Sequence, residues 1–159
     1  MNQFTEKQRL DIVNQYYLFD SEPELEYDNI TFLASKICNT PISTITLVDE
    51  NRQWFKSKIG FEHNENPKNM SFCALSLSKN NEVLVVPNLM EDEAFSEIGK
   101  LNGLEKDGFY ASVTLYNENK IPLGTLCVMD FESKTLDEDQ VKALQILGKQ
   151  VEELFKLRL

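Results

Sequence analysis

Few residues in this chain carry reactive chemistry. It has three cysteines and one histidine among 159 residues. Cys73 lies in the stretch "NMSFCALSL", Asn69 to Leu77, between a phenylalanine and an alanine. A catalytic thiol needs a pKa lowered by a helix N-terminus, a cation or a histidine, and enough exposure for substrate to reach it. Near Cys73 the sequence offers only a helix start at Ser71; the histidine, His63, falls in the charged loop "EHNENPK". A buried free cysteine behaves as a small hydrophobe. Space filling, pocket lining and nucleophilic attack therefore all stand as readings of Cys73. Cys127 falls on an expected strand in "GTLCVMD" and Cys38 at a helix end, and core packing is the simpler reading for both. No pair has CxxC or metal-ligand spacing, so free thiols in a reducing cytosol are expected. An iron–sulfur cluster usually needs four cysteines. The acids of "EDEAFSE" lack the ligand spacing and turn glycine of a calcium loop, and haem would rest on His63 alone. No cofactor and no metal is expected.

Charge and hydropathy narrow the partners. A net charge of −10 and a pI near 4.6 repel phosphate backbones and anionic lipid, so nucleic acid is not an expected partner. No apolar run approaches the roughly 18 residues of a membrane helix, and the N-terminus has no signal-peptide core. A cytoplasmic protein without membrane segments is expected.

These residues must be positioned by elements the sequence also predicts. Thr5 caps a helix starting near Glu6, with Leu10, Ile12, Val13, Tyr16, Tyr17 and Phe19 spread over a broad apolar face. It stops before the acidic connector "DSEPELEYD". A second helix, about Glu26 to Asn39, ends where Pro41 prevents continuation. The period then changes. "STITLVD" and "QWFKSKIG", joined by "ENR", read as an antiparallel hairpin; Trp54, Lys56 and Lys58 alternate with Phe55, Ser57 and Ile59, leaving one face solvated. "EVLVVP" is a short strand closed by Pro87. "GFYASVTLYNENKIPLGTLCVMDF" gives a second hairpin around the turn "NENK". A final helix runs through "LDEDQVKALQILGKQVEELFKLRL", with acids at its positive end and Lys156 and Arg158 at its negative end. The sum is an α+β domain built on an antiparallel sheet of five to six strands.

The series "TLVDENRQWFKSKIG", "SFCA", "VLVVPN", "FYA", "PLGTLCVMD" and "LDEDQVKALQILGKQVEEL", in that order and spacing, resembles the GAF domain of bacterial signalling proteins. It is most similar to the subgroup found beside histidine kinase and diguanylate cyclase modules. The resemblance covers about Glu22 to Leu159, so residues 1–21 read as an N-terminal helix and residues 22–159 as the GAF domain. It implies terminal helices on one face of the sheet and an irregular segment capping a pocket on the other. It also implies pocket residues: Trp54, Phe72, Phe95, Phe109 and Tyr110 as aromatic lining with Cys73, and Tyr110, Ser112, Thr114 and Thr125 as orienting polar groups. The chain departs from the subgroup at Leu75, where a histidine is usual, at Asn69, where an aspartate is usual, and at Ser112, where a glycine is usual.

GAF chemistry can be screened residue by residue. Bilin attachment uses a Cys-His dipeptide, but Cys73 precedes Ala74. The constellation of cyclic-nucleotide GAF domains is not recognisable. Free methionine sulfoxide reductases of this family carry cysteines in the loop after the strand equivalent to "VLVVPN", and "LMEDEAFSEIGKLNGLEKDG" has none. The expectation is a non-catalytic sensory or regulatory module, binding a small molecule or a partner protein and acting through a separate signalling output protein. The alternative is a small redox enzyme of the free methionine sulfoxide reductase type, using Cys73 with Cys127 as resolving thiol. The terminal helices carry more apolar residues than one sheet face needs. Since GAF domains commonly pair these helices, a homodimer with Tyr16 and Phe155 in its interface is expected.

Overall fold

The computed structural model describes residues 4–79, 81–103 and 108–159. Its centre is a six-stranded antiparallel sheet of β1 (Ile42–Val48), β2 (Arg52–Ile59), β3 (Glu65–Pro67), β4 (Val83–Val86), β5 (Phe109–Tyr116) and β6 (Pro122–Asp130), in the order β3-β2-β1-β6-β5-β4. The two expected hairpins, β1–β2 and β5–β6, form the middle and meet along β1 and β6. At that seam Gly124 has no space for a side chain, because a Cβ would fall 1.9 Å from the Thr46 carbonyl oxygen. The helices are α1 (Glu6–Asn14), α2 (Leu25–Cys38), α3 (Phe72–Ser78), α4 (Glu93–Leu101) and α5 (Glu138–Lys156).

Strand alternation sorts the side chains into two layers. Ile45, Leu47, Phe109, Ala111, Val113, Leu115, Leu126 and Val128 pack with Tyr27, Ile30 and Ala34 of α2 and Leu144, Leu147, Val151 and Phe155 of α5. Their neighbours in sequence, Tyr110 and Cys127, face the other way and pack with Phe72 of α3 and Phe95 of α4. The second helix ends at Asn39, whose left-handed backbone (φ 54°) stops it ahead of Pro41. The first and last helices begin in full capping boxes, at Thr5 with Gln8 and at Asp137 with Gln140.

Two expectations need correction. The first helix ends at Asn14, not near Phe19. Beyond it the chain turns through left-handed conformations at Tyr17 (φ 52°) and Asp20 (φ 62°), which puts Tyr16 and Leu18 into the helix-side core, with Tyr17 exposed. Nor does β2 have a solvated face. Ile45 pairs with Ser57 and Thr46 with Phe55, so Lys56 is the extra residue of a β-bulge. Trp54, Lys56 and Ser57 all lie on the helix side: Trp54 against Phe19, Ser57 bonded to Thr31 and Asp28 of α2, and Lys56 bonded to the α1–α2 connector.

That connector is strapped to β2 and to the end of α5. Arg52 grips both carboxylate oxygens of Asp20 at 3.0 and 2.8 Å. The Lys56 side chain, fully buried, donates to the Ser21 hydroxyl at 2.8 Å and the Glu22 carbonyl at 2.6 Å, and pairs with Glu24 at 2.5 Å. Arg158 joins Glu24 at 2.8 Å and donates to the Tyr16 and Tyr17 carbonyls. The connector is thus tied to the domain by these bonds and by the buried Tyr16 and Leu18.

Candidate functional site

On the face opposite the terminal helices, α3 and α4 roof the sheet, and the space beneath them divides into a filled part and an open part. In the filled part the rings of Phe72, Phe95 and Tyr110 pack mutually, with centroids 5.2 to 5.9 Å apart. The floor here is polar. Thr44 Oγ1 lies 2.7 Å from Thr46 Oγ1 and 2.8 Å from Cys127 Sγ, and the Ser76 and Ser112 hydroxyls are 3.0 Å apart. The Thr125 and Tyr110 hydroxyls are buried without a hydrogen-bond partner among the described residues; Tyr110 Oη ends beside Ser76 and Ser112 without reaching bonding geometry. Burial raises the Tyr110 pKa well above its ordinary value, with the nearby sulfurs adding to the effect.

The three thiols are buried and free. Cys73, 2% exposed, makes a long contact of 3.9 Å to the Thr46 carbonyl and lies beside Thr125. Burial pushes it up to about 12, and Cys127 and Cys38 to about 11. A nucleophilic thiol needs the opposite shift. The helix start at Ser71 does not compensate, because the Ser71 hydroxyl itself caps the Ala74 amide at 2.8 Å.

The open part is a cleft of about 320 Å³ where β1, β2, β3 and β6 meet the 60–64 loop, the 3₁₀ turn Lys68–Met70, α3 and the end of α4. Its walls are the aromatic rings of Phe55, Phe61, Phe72 and Phe131, with Ile42, Met70, Leu101 and Met129. Phe55 and Phe61 meet edge to face at 4.8 Å. Gln53, His63, Asn66 and Asn102 add the polar groups. Asn102 is held at the rim by bonds from its amide nitrogen to the Met70 and Ile98 carbonyls, at 3.0 and 2.9 Å.

The residues expected to line one pocket are spread over three environments. Phe72 lines the cleft. Cys73, Phe95, Tyr110, Ser112 and Thr125 lie in the filled layer behind it, each no more than 2% exposed. Thr114 donates its hydroxyl to the Asn81 carbonyl at 2.8 Å. Trp54 and Phe109 are on the helix side of the sheet, and placing them with Phe72 and Tyr110 is corrected: Phe109 and Tyr110 are consecutive in one strand and must point to opposite faces. By the same rule Phe55, not Trp54, reaches the cleft, a signal the sequence already carried. His63 reads as part of a charged, solvated loop, Phe61 has no reading of its own, and nothing local marks either as a cleft residue. Tyr16 and Phe155 do not form outward surface either; their rings pack together at 6.0 Å within one chain, 4% and 1% exposed. Of the loop screened for reductase cysteines, residues 104–107 lie outside the described residues. Among the described residues no group of acids, cysteines and histidine could hold a metal ion, and no helix is long and apolar enough to cross a membrane.

No protein-family model matches the chain. Over 129 residues it is 30% identical to the cyclic di-GMP phosphodiesterase PA2567 of Pseudomonas aeruginosa, an alignment covering 81% of this chain but 22% of that protein. The chain thus spans about a fifth of the length of the curated relative it matches. Among solved structures it resembles the GAF domain of an Acinetobacter phosphoenolpyruvate-protein phosphotransferase, with a TM-score of 0.65 at 16% identity, over 97% of this chain and 96% of that one. It also resembles the free methionine-R-sulfoxide reductase of Neisseria meningitidis, with a TM-score of 0.65 at 14% identity, over 99% and 95% of the two chains. At these identities the likeness is one of fold, and the fold is that of GAF domains.

Proposed function

We propose that this chain is a regulatory GAF module of bacterial signalling, and that the cleft between Phe55, Phe61, Phe72 and Phe131 is where it recognises a small molecule. The cleft carries this reading: it is concave, largely apolar and supplied with a few convergent polar groups, the usual make-up of a small-ligand site. The aligned relative is an enzyme of cyclic di-GMP turnover matched over about a fifth of its length, which supports a role in signalling. The module acts on an output carried by another segment or another chain. The redox-enzyme alternative loses support from the thiols, since burial raises all three pKa values, although the reductase shares the fold. A homodimer remains part of the proposal, with its contact moved to the outward residues of α2 and α5: Phe32, Leu33, Ile37 and Ile146, all exposed. Light scattering at micromolar concentration tests it, and a monomer mass overturns it. The binding reading is tested by a thermal-shift screen of a broad small-molecule library on the native chain and on Phe61→Ala. Hits that stabilise the native chain but not the variant support the cleft. A library without such hits overturns it.

A further inference from the structure

Resting on that reading of the cleft, we infer the class of ligand it takes: a neutral, planar aromatic or heteroaromatic molecule with a carbonyl or ring-nitrogen acceptor on its inner edge, not a phosphorylated nucleotide. Two independent features carry this. The first is charge. Among the described lining residues there is no lysine, arginine, aspartate or glutamate, and the chain as a whole carries −10. A phosphate placed here would lose hydration with no lysine or arginine on the lining to compensate it, and would enter against the repulsive field of the net negative chain. A cationic ligand would meet aromatic faces but no carboxylate on the lining.

The second feature is the orientation of Gln53. This residue is 6% exposed and lines the cleft. The Ser71 hydroxyl accepts from the Ala74 amide at 2.8 Å and donates its proton to Gln53 Oε1 at 2.6 Å. Gln53 is therefore held with its oxygen towards Ser71. Its Nε2 has no partner among the described residues, and it is not among the side-chain atoms sealed from solvent. A nearly buried amide donor held beside aromatic walls selects a ligand that is flat enough to stack and has an acceptor to meet it. A ligand lacking the acceptor would leave that donor dry and unbonded, and is disfavoured for that reason.

The test is titration of the ¹⁵N-labelled full chain with three probes: 4-quinolone, which is flat, neutral and carries a ring carbonyl; naphthalene, which has no acceptor; and 3′,5′-cyclic GMP. The expected result is that 4-quinolone shifts the amides of Gly60, Phe61, Asn102 and Phe131, with naphthalene weaker and cyclic GMP silent. In Gln53→Glu, which keeps the acceptor for Ser71 but replaces the donor, quinolone should bind at least about tenfold more weakly and naphthalene unchanged. If Gln53→Glu does not fold, Phe61→Ala decides: both aromatic probes must weaken, and unchanged quinolone binding overturns the inference. Cyclic GMP binding in the cleft more tightly than quinolone, or quinolone binding indifferent to Gln53→Glu, overturns it as well. Silence from all three probes overturns this ligand class but leaves the cleft reading standing unless the broad library also gives no cleft-dependent hit.

Discussion

Alkylation of Cys73 distinguishes a structural sulfur from a catalytic one, and its magnitude follows from the structure. Burial moves the thiol from an ordinary value of 9.0 to about 12. A difference of about three units leaves roughly a thousandfold less thiolate at pH 7, and the thiolate is the reacting species. Access adds to this. With Cys73 2% exposed on the side of α3 that faces the sheet, iodoacetamide meets it only when α3 lifts from the sheet or the domain unfolds, which holds the rate to the small open population. Native labelling at pH 7 should therefore be at least about a thousandfold slower than labelling in 8 M urea, with Cys127 and Cys38 also protected. Timed quenching and peptide mass spectrometry read all three sites at once. Native modification of Cys73 within tenfold of its rate in urea would refute the reasoning, because it would require a thiolate and an open path that the structure does not contain.

Further predictions concern the framework that positions the cleft. Phe155→Glu puts a carboxylate between Tyr16 and Tyr27, whose rings lie 6.0 and 5.9 Å away, and should cost at least about 4 kcal/mol by urea denaturation; an unchanged midpoint would show the site is not core. Lys56→Met keeps the aliphatic stem but removes the bonds to Ser21, Glu22 and Glu24, for an expected loss of about 2–4 kcal/mol, moderated because Glu24 keeps Arg158 and is partly exposed. A loss below about 0.5 kcal/mol would mean the strap does not hold. Stability should also fall in acid. Arg9 beside Glu6, Arg52 beside Asp20 and Lys56 beside Glu24 each hold a carboxyl below its ordinary value of 4.5, 3.8 and 4.5. Depressed carboxylates stabilise the fold above those values, and that contribution disappears as the pH drops through the lower folded-state pKa values. The urea midpoint should hold from pH 7 to about 5 and decline below about 4; a midpoint that rises there would contradict the pairing.

Much of the architecture was legible because it rests on period. The β1–β2 and β5–β6 hairpins, the α5 helix with acids at its positive end and the α2 stop near Asn39 all follow from local pattern. What failed did so where tertiary structure interrupts that pattern. The bulge at Lys56 puts two consecutive residues on one side of β2, so simple alternation assigned a solvated face that does not exist. Tyr16 and Leu18 alternate into the core from a non-helical strap, which apolar content alone reads as more helix. The candidate site was less legible. Phe72 was found through the resemblance to GAF domains, whereas Phe61, His63 and Asn102 join the cleft only because the 60–64 loop and the end of α4 converge across the sheet. Nothing in their local sequence encodes that meeting. The Gln53 amide was equally hidden, since its orientation depends on Ser71, 18 residues away.

The central claim, that this cleft is a ligand-recognition site, is tested most directly by a crystal structure of the full chain with the tightest neutral aromatic hit at saturation. The account predicts the molecule lying between the rings of Phe55, Phe61, Phe72 and Phe131 with an acceptor at hydrogen-bond distance from Gln53 Nε2. A hit seated elsewhere on the surface, with the cleft unoccupied at saturation, would contradict it.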